Sequence, residues 1–378
     1  MKRYVFALGA LRFIRYFIMG HLAVALPILL AQTVGAVAAG LVLSAAGLIS
    51  LAASIAYSAL GDVVGHARGL AISEAAFASA VAALAYIRSP WLMAAALGLG
   101  GIGMLGPGAT RGAFVPLISA VVRDHSASPV ERTQALGVIS AISTVGGMIG
   151  SATAAVYPIQ KALVPYAVAS FAAAALVAAL LGARERIRPV NPFAGIGKRA
   201  RVVAGYSLSQ FVAGIGVGLS MPLLSLWLHA YMGLGEGAIG VIFAAGNGAF
   251  AAASLVAYKL ARALGLVKAS AASRIAAGAL LASLVLFKDP IAFAAVYMVY
   301  NAFVGIGGAA RSSYIVGAAA EGSEATTQAV TGIAIRASSI PSVALSGYLI
   351  DVEPALVMPI AGALSIASGL IFLYTLRE

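Results

Sequence analysis

The sequence contains no cysteine, and few of its residues carry a charge. The absence of cysteine excludes disulfides, thiol catalysis and metal sites that need a thiolate ligand. Only 10% of the 378 residues are Asp, Glu, Lys or Arg, whereas a soluble domain needs roughly a quarter of its residues charged to cover its surface. The chain therefore has too little polar surface to face water alone.

The residues that catalysis or metal binding requires are also scarce. No G-x-x-x-x-G-K-[ST] phosphate loop is present, so the chain lacks the usual means of using ATP. The segment 98–103 matches the dinucleotide pattern G-x-G-x-x-G, but it lies inside an apolar run and we interpret it as helix packing. We predict that the chain is not an enzyme and holds no metal and no cofactor. Four histidines are scattered without metal-ligand spacing: His21, His66, His125 and His229.

What the sequence does contain is apolar residues in long runs. They make up 62% of the chain, and the mean hydropathy is +1.01. A helix needs about 20 apolar residues to cross the hydrocarbon core of a bilayer. We therefore predict an all-α membrane protein with twelve transmembrane helices, at 5–31, 36–60, 69–87, 91–121, 134–157, 162–182, 202–228, 237–260, 269–287, 290–318, 327–349 and 355–375.

The net charge of +12 is explained by the membrane rather than by nucleic acid. Fifteen of the 24 Lys and Arg residues fall in segments that would be cytoplasmic if the N-terminus is inside, and only Arg88, Lys161 and Lys288 fall outside. This asymmetry is typical of the positive-inside rule. It predicts a multi-pass protein of a prokaryotic plasma membrane with both termini cytoplasmic and no nucleic-acid partner.

One segment interrupts the apolar pattern strongly. Residues 183–201 contain six basic residues and two prolines. We interpret this segment as a cytoplasmic linker between two membrane domains. The predicted domains are an N-terminal six-helix bundle at 1–182 and a C-terminal six-helix bundle at 202–378.

The two halves resemble each other in sequence. A shift of 200 residues brings Gly108–Arg111 onto Gly308–Arg311, and a shift of 198 brings Phe13 and Gly20 onto Phe211 and Gly218. Six helices in each half permit a parallel repeat about an axis along the membrane normal. We therefore expect two pseudo-symmetric bundles with a central polar cavity between them, which is typical of transporters.

The loop after the second predicted span has a recognisable pattern that recurs in part after the eighth. It contains Leu60, Asp62, Gly65 and Arg68, and the second copy keeps Gly265 and Lys268. With the twelve spans and the basic linker, this pattern resembles the loop signature of the major facilitator superfamily, G-x-L-a-D-r-x-G-r-R-R. The resemblance implies that these six residues form gating loops. The first Gly and two basic positions of the signature are missing here.

The resemblance implies a secondary transporter that works by alternating access on a small-molecule substrate, as a monomer in the bilayer. Gly137, Gly146 and Gly150 also have the spacing of the antiporter signature in the fifth helix, although Ser151 replaces its proline. Simple helix packing is an equal interpretation of these glycines. The antiporter spacing favours export. Further similarity to drug-efflux-like members, of a kind that many members of the superfamily share, occurs at Arg12–Arg15, Glu131–Thr133, Arg311–Tyr314 and Ile335–Ser338.

Ionisable residues inside a span are expensive and often functional. Glu74 and His21 are our candidates for proton coupling. Alternatively Glu74 pairs with Arg68, and His21 is a hydrogen-bonded core residue. We expect Arg12 and Arg15, near the start of the first span, to extend toward the cytoplasmic headgroups.

Arginines in the second half of each repeat have two interpretations. Arg111 and Arg311 occupy equivalent places and either bind an anion or have a structural role. Arg336 lies deep in the eleventh span, and we expect it to be a buried charge with a partner. Polar and aromatic residues amid apolar ones are typical of a cavity lining. The predicted lining is Tyr206, Gln210, Asn247, Tyr297, Tyr300, Asn301 and Arg336.

These features together predict a proton-coupled secondary transporter that exports small organic or amphipathic compounds. One alternative is a permease for uptake or exchange of anions, which would use the intramembrane arginines. An alternative of another class is a membrane sensor that transports nothing.

Overall fold

The structure is a computed structural model that describes residues 3–103, 114–126, 129–181, 200–318 and 324–376. The described residues are organised almost entirely as α-helices, as the long apolar runs predict. Short 3₁₀ segments occur at Leu284–Leu286 and Pro354–Leu356. The α-helices are α1 (Arg3–Val34), α2 (Ala36–Val64), α3 (His66–Leu84), α4 (Pro90–Leu99), α5 (Phe114–His125), α6 (Pro129–Thr153), α7 (Ile159–Leu181), α8 (Ala200–Ser220), α9 (Leu224–Met232), α10 (Glu236–Leu264), α11 (Leu266–Ser283), α12 (Pro290–Ala318), α13 (Glu324–Val352) and α14 (Val357–Thr375).

Eleven of the described helices are long and apolar enough to cross a membrane, and α4 is a shorter apolar helix. The eleven agree in position with eleven of the twelve predicted spans. The remaining span, 91–121, was predicted as one long helix, and this prediction is wrong. Helix α4 ends at Leu99, and Gly101 has a positive φ of 72° that ends the helical path.

The glycine segment 98–103 explains this break. Gly98 packs against Ile49 and Gly103 against Ser50, so these glycines bring α4 and the residues after it close to α2. The interpretation as packing glycines agrees with these contacts, but the helix does not continue through them. Glycine costs about 1 kcal/mol per residue relative to alanine in a helix.

The seventh predicted span, 202–228, is also divided in two. Helix α8 ends at Ser220 and α9 begins at Leu224, with Met221, Pro222 and Leu223 between them. Proline has no N–H to donate to a helix, and its ring clashes with the preceding turn. Pro222 therefore accounts for a break that periodicity alone does not reveal.

Four glycines with positive φ join consecutive helices and show the internal repeat in the backbone. Gly35 (φ 84°) separates α1 from α2, and Gly65 (φ 104°) separates α2 from α3. Gly233 (φ 69°) follows α9 and is separated from α10 by Leu234 and Gly235, and Gly265 (φ 81°) separates α10 from α11. The spacings between the copies, 198 and 200, are those of the sequence repeat. Side chains other than glycine rarely adopt this conformation.

Close helix pairs within each half are packed through small residues. A Cβ on Gly146 of α6 would meet the Phe13 carbonyl oxygen of α1 at 2.5 Å, and one on Gly150 would clash with the carbonyl of Phe17. In the second half, Gly214 and Gly218 of α8 lie equally close to the α13 backbone. Small residues permit this approach in lipid.

The chain divides into two compact units, which we call unit 1 and unit 2. Unit 1 comprises Met1–Pro189 with Gly235–Ala244, and unit 2 comprises Val190–Leu234 with Ala245–Glu378. The first residues of α10 thus belong to unit 1, where Gly240 packs against Ser151. The predicted linker, 183–201, lies almost wholly outside the described residues.

Candidate functional site

A buried ion pair joins α1 and α3 inside unit 1. Arg15 Nη1 donates to Glu74 Oε1 at 2.8 Å, and the two residues are only 3% and 1% exposed. Two charges removed from water are stabilised only when they are paired with good geometry. Glu74 is the one fully buried carboxylate among the described residues, and Arg15 is its partner.

The same guanidinium contacts two further groups. Arg15 Nη2 donates to the Gly100 carbonyl oxygen just after α4, at 3.3 Å. The Cζ atom of Arg15 lies 4.1 Å from the centroid of the Phe77 ring, which covers one face of the cation. Arg15 therefore connects α1, α3 and the end of α4.

Arg12 lies one turn before Arg15 and has its own set of partners. Its Nε donates to Ser143 Oγ on α6 at 2.9 Å, and its Nη2 donates to Tyr16 Oη at 2.8 Å. Arg12 is 8% exposed. The expectation that Arg12 and Arg15 extend to the headgroups is wrong, because each finds polar partners inside unit 1.

The alternative partner for Glu74 is wrong as well. Arg68 is exposed on the first turn of α3, whereas Glu74 points inward to Arg15. Six residues along a helix correspond to about 600° of rotation. The two side chains therefore lie on different faces of α3.

His21 lies at a second polar position of α1, close to α7. Its Nδ1 is 2.7 Å from Tyr166 Oη, and the two rings pack edge to face with centroids 5.7 Å apart. His21 is fully buried. This arrangement agrees with the interpretation as a hydrogen-bonded core histidine, and its role in proton coupling stays a prediction.

Unit 2 has a buried guanidinium that the sequence analysis did not single out. Arg274 of α11 donates from Nη1 to Ser209 Oγ at 3.0 Å and to Ser368 Oγ at 2.7 Å. Its Nη2 donates to Gln210 Oε1 at 2.6 Å. Arg274 is 8% exposed, so α8, α11 and α14 meet around a buried charge.

The predicted cavity residues of α12 form part of an aromatic column. Phe293, Tyr297 and Tyr300 follow one another with ring centroids about 6 Å apart, at 6.0 and 5.9 Å. Asn301 Nδ2 donates to the Tyr297 carbonyl oxygen at 2.8 Å, and Tyr300 Oη lies 3.9 Å from Met221 Sδ. Tyr297, Tyr300 and Asn301 are all buried within unit 2. Their contact with a substrate stays a prediction.

The other predicted cavity residues have different surroundings. Tyr206 packs edge to face against Phe372, in an apolar cluster that includes Tyr314, so the structure gives it a packing role. Asn247 is half-buried. Arg336 is also half-buried, and its place in a cavity stays a prediction. Gln210 is buried against Arg274, as described above.

The two candidate anion-binding arginines can be placed only in part. Arg111 lies outside the described residues. Arg311 is partly buried, and its guanidinium lies over Gly307, where an added Cβ would approach Nη1 to 2.7 Å and Ser273 Cβ of α11 to 2.9 Å. The Arg311 guanidinium therefore lies close to the place where Gly307 of α12 faces Ser273 of α11.

The predicted gating loops have the backbone that their glycines require. Gly65 and Gly265 form the turns described above. The cationic residues Arg68 and Lys268 are exposed, and Leu60 is half-buried. The side chain of Asp62 lies outside the described residues. The gating role of these six residues stays a prediction.

An ion pair that the sequence analysis missed lies next to the first of these loops. His66 Nδ1 lies within hydrogen-bonding distance of Asp124 Oδ2 at the end of α5, and Arg123 Nε is 3.6 Å from Asp124 Oδ1. Partial burial acts to raise the pKa of Asp124. The hydrogen bond and charge of His66, together with Arg123, outweigh burial and hold this pKa below its ordinary value.

A signal for Arg274 was present in the sequence. The repeat shift of 200 places it at the position of Glu74, and both are the ninth residue of their helices, α3 and α11. The shift of 198 likewise places Gln210 at the position of Arg12. The two buried polar sites therefore lie at equivalent positions of the repeat.

These features define a class of protein: an all-helical, multi-pass integral membrane protein with a buried polar site inside each of two repeated units. The family model of the Major Facilitator Superfamily matches residues 8–203 of the chain. The chain belongs to this superfamily of secondary transporters. It is therefore a transporter of a small-molecule substrate and not an enzyme.

Solved structures share this fold over the whole chain. A variant of the nucleoside transporter NupG is similar with a TM-score of 0.79 and 14% identity, over 99% of this chain and 100% of that chain. Another NupG structure has a TM-score of 0.74, 14% identity and coverage of 100% of both chains. The human organic anion transporter MFSD10 (TETRAN) has a TM-score of 0.67 and 17% identity, over 98% of this chain and 99% of that chain. None of the curated proteins matches the chain by sequence.

Proposed function

We propose that this transporter is coupled to protons through Glu74 and exports small organic or amphipathic compounds. The observation that carries the proposal is the buried Arg15–Glu74 pair. A carboxyl group inside a bilayer can carry a proton across it only if an alternating conformation exposes it to each side. Glu74 is chemically suited to this role, since it is the one fully buried carboxylate of the described residues.

The remaining features of the proposal follow from the sequence. The transporter works as a monomer in a prokaryotic plasma membrane, with both termini in the cytoplasm, where its fifteen basic loop residues would lie. Export is supported by the glycine spacing of α6, which resembles the antiporter signature. Because Gly146 and Gly150 pack against α1, helix packing accounts for that spacing equally well.

A second candidate function is uptake or exchange of an organic or inorganic anion. It is supported by Arg274 and Arg311, two guanidinium groups on the neighbouring helices α11 and α12. Guanidinium groups bind carboxylate and phosphate through paired hydrogen bonds. This candidate needs Arg311 to exchange its present contacts for the substrate.

Transport in proteoliposomes distinguishes the two candidates. We would use ethidium as an amphipathic cation and fluorescein as an organic anion, with and without an imposed pH gradient. We expect the wild type to accumulate ethidium in response to the gradient. The Glu74→Gln variant should lose this accumulation and keep exchange of the dye without a gradient.

The control is Asp289→Asn, which removes a carboxylate whose Oδ2 accepts only a local backbone hydrogen bond, from Ala292 N at 2.8 Å. It should transport as the wild type does. Fluorescein transport that ignores the pH gradient and requires a counter-anion would contradict proton coupling and favour the second candidate.

A further inference from the structure

The end of α4 exposes backbone carbonyls in the interior of unit 1. The last carbonyls of a helix have no donor in the next turn. Three of these carbonyls are satisfied locally, because Gly100, Gly101 and Ile102 donate to the carbonyls of Ala96, Gly98 and Leu97. The next two carbonyls, of Leu99 and Gly100, accept hydrogen bonds from side chains.

Those two side chains come from different helices. Tyr57 Oη of α2 donates to the Leu99 carbonyl oxygen at 2.8 Å, and Arg15 of α1 donates to the Gly100 carbonyl oxygen at 3.3 Å. A cation at a helix C-terminus also interacts favourably with the helix dipole. The end of α4 is thus held by one neutral group and one charged group.

The charged group is shared with Glu74. The two terminal nitrogens of Arg15 have different acceptors. Nη1 donates to the Glu74 carboxylate, and Nη2 donates to the Gly100 carbonyl oxygen. The ring of Phe77 covers the guanidinium, and Arg15 is almost inaccessible. A change in the charge of Glu74 therefore acts on the Arg15 guanidinium, the same planar group that donates a hydrogen bond to the end of α4.

We propose that Arg15 is a positioning residue that couples the protonation of Glu74 to the conformation of the broken helix α4. This inference rests on the proposed function, because it assumes that Glu74 exchanges its proton during transport. When Glu74 becomes neutral, the buried guanidinium loses its counter-charge. The Gly100 carbonyl and the Phe77 ring carry no formal charge and do not replace the counter-charge of a buried cation. Arg15 then leaves its position, and Gly100 loses its donor.

The other charges around Glu74 do not replace Arg15 in this role. Among the described residues, Arg12 is the second charged group that acts on the carboxylate, also from α1. Helix α4 has no titratable side chain, and Asp124 of α5 binds His66 rather than Glu74. Among the described side chains of α2, Tyr57 is titratable, and its hydroxyl binds the Leu99 carbonyl instead.

Hydrogen exchange at the end of α4 tests the proposal directly. The full-length protein in nanodiscs would be compared at pH 8 and pH 5, after correction for intrinsic exchange, in peptides that cover 97–103. We expect exchange of the Gly100, Gly101 and Ile102 amides to accelerate about tenfold at pH 5, the effect of losing one charged hydrogen bond. In the Glu74→Gln variant, these three amides should exchange rapidly at both pH values.

Two variants serve as matched controls. Arg12→Gln removes the neighbouring arginine of the same helix and should keep the pH response of α4. Tyr57→Phe removes the neutral donor, so it should accelerate exchange at both pH values and leave the pH response intact. If Arg15→Gln does not fold, Arg15→Lys keeps the charge but lacks the planar fork that binds two acceptors, and it should abolish the response.

The outcomes separate this inference from the proposed function. If the amides at the end of α4 exchange hydrogen at wild-type rates in both the Glu74→Gln and the Arg15 variants, the coupling through Arg15 is overturned. This holds even if Glu74→Gln loses proton-driven transport. If the Arg15-dependent response of α4 persists while Glu74→Gln still transports in response to the pH gradient, the proposed proton coupling fails and the link to α4 stands.

Discussion

The buried polar sites of unit 1 and unit 2 occupy equivalent positions but carry different charges. In unit 1, Glu74 of α3 binds Arg15 of α1. In unit 2, the same position of the third helix of the repeat is Arg274, which binds Ser209, Gln210 and Ser368. Each unit therefore holds a charged group between the first and third helices of the repeat, an anion in unit 1 and a cation in unit 2.

Because their charged groups differ, the two sites have different chemical capabilities. A carboxylate can take up a proton, whereas the guanidinium of arginine stays charged in proteins. Arg274 donates to two hydroxyl groups and an amide, which do not titrate near neutral pH. Unit 1 therefore contains a site whose charge can change, and the site of unit 2 holds a permanent charge. Substitutions in the two sites should have different costs.

The largest effect is expected when the carboxylate alone is removed. Glu74→Leu leaves the buried Arg15 guanidinium without its counter-charge, and arginine cannot become neutral. We expect a loss of about 3–5 kcal/mol in the free energy of unfolding. Arg15→Leu should cost less, because Glu74 can bind a proton instead. Thermal unfolding in detergent and in nanodiscs measures both.

The double variant Arg15→Leu with Glu74→Leu is the control for this comparison. It should recover most of the stability lost in Glu74→Leu, since an apolar pair carries no desolvation cost. Equal losses in the two single variants, with no recovery in the double variant, would show that the ion pair does not account for the cost.

A smaller effect is expected at the equivalent position of unit 2. Arg274→Leu removes three hydrogen bonds from a charged donor and leaves neutral acceptors behind, of which Ser209 and Ser368 still bond to each other's backbone. We expect a loss of about 2–3 kcal/mol. The loss should not depend on pH between 5 and 8, because Ser209, Gln210 and Ser368 do not change their charge there. A loss as large as that of Glu74→Leu would contradict the contrast between the two sites.

The sequence predicted the helices of this fold better than their interruptions. Hydrophobic length located eleven spans, and the glycine turns at Gly65 and Gly265 followed from the loop signature. The breaks after Leu99 and Ser220 were missed because mean hydropathy does not change where a helix ends inside the apolar layer. Pro222 and the glycines of 98–103 were visible but were not used as breaks.

The buried site was predicted only by residue type. Glu74 was recognised because a carboxylate is unusual in an apolar run, but its partner was not, since the rotation of α3 against α1 is set by packing. In the sequence, Arg15 looks like an arginine that reaches the headgroups. The fold distinguishes it by placing Glu74 and Gly100 beside it. Arg274 follows from the repeat once equivalent positions are compared one by one.

The smallest effects concern how the two units pack their first helices. In unit 1, Gly146 of α6 faces the Phe13 carbonyl of α1, and in unit 2, Gly214 of α8 faces the Ile335 carbonyl of α13. Gly146→Ala and Gly214→Ala should each cost about 1–2 kcal/mol in the free energy of unfolding, since the added methyl forces backbones apart.

Gly137 provides the matched control, because a Cβ there would meet nothing within 4 Å. Gly137→Ala should leave stability unchanged or raise it by up to about 1 kcal/mol, the gain in helix propensity. Gly137 and Gly146 both belong to the antiporter spacing, so the transport rates of their two alanine variants distinguish its two interpretations. If packing explains the spacing, only Gly146→Ala lowers ethidium transport. If Gly137→Ala lowered transport at full stability, packing would not explain why Gly stands at that position.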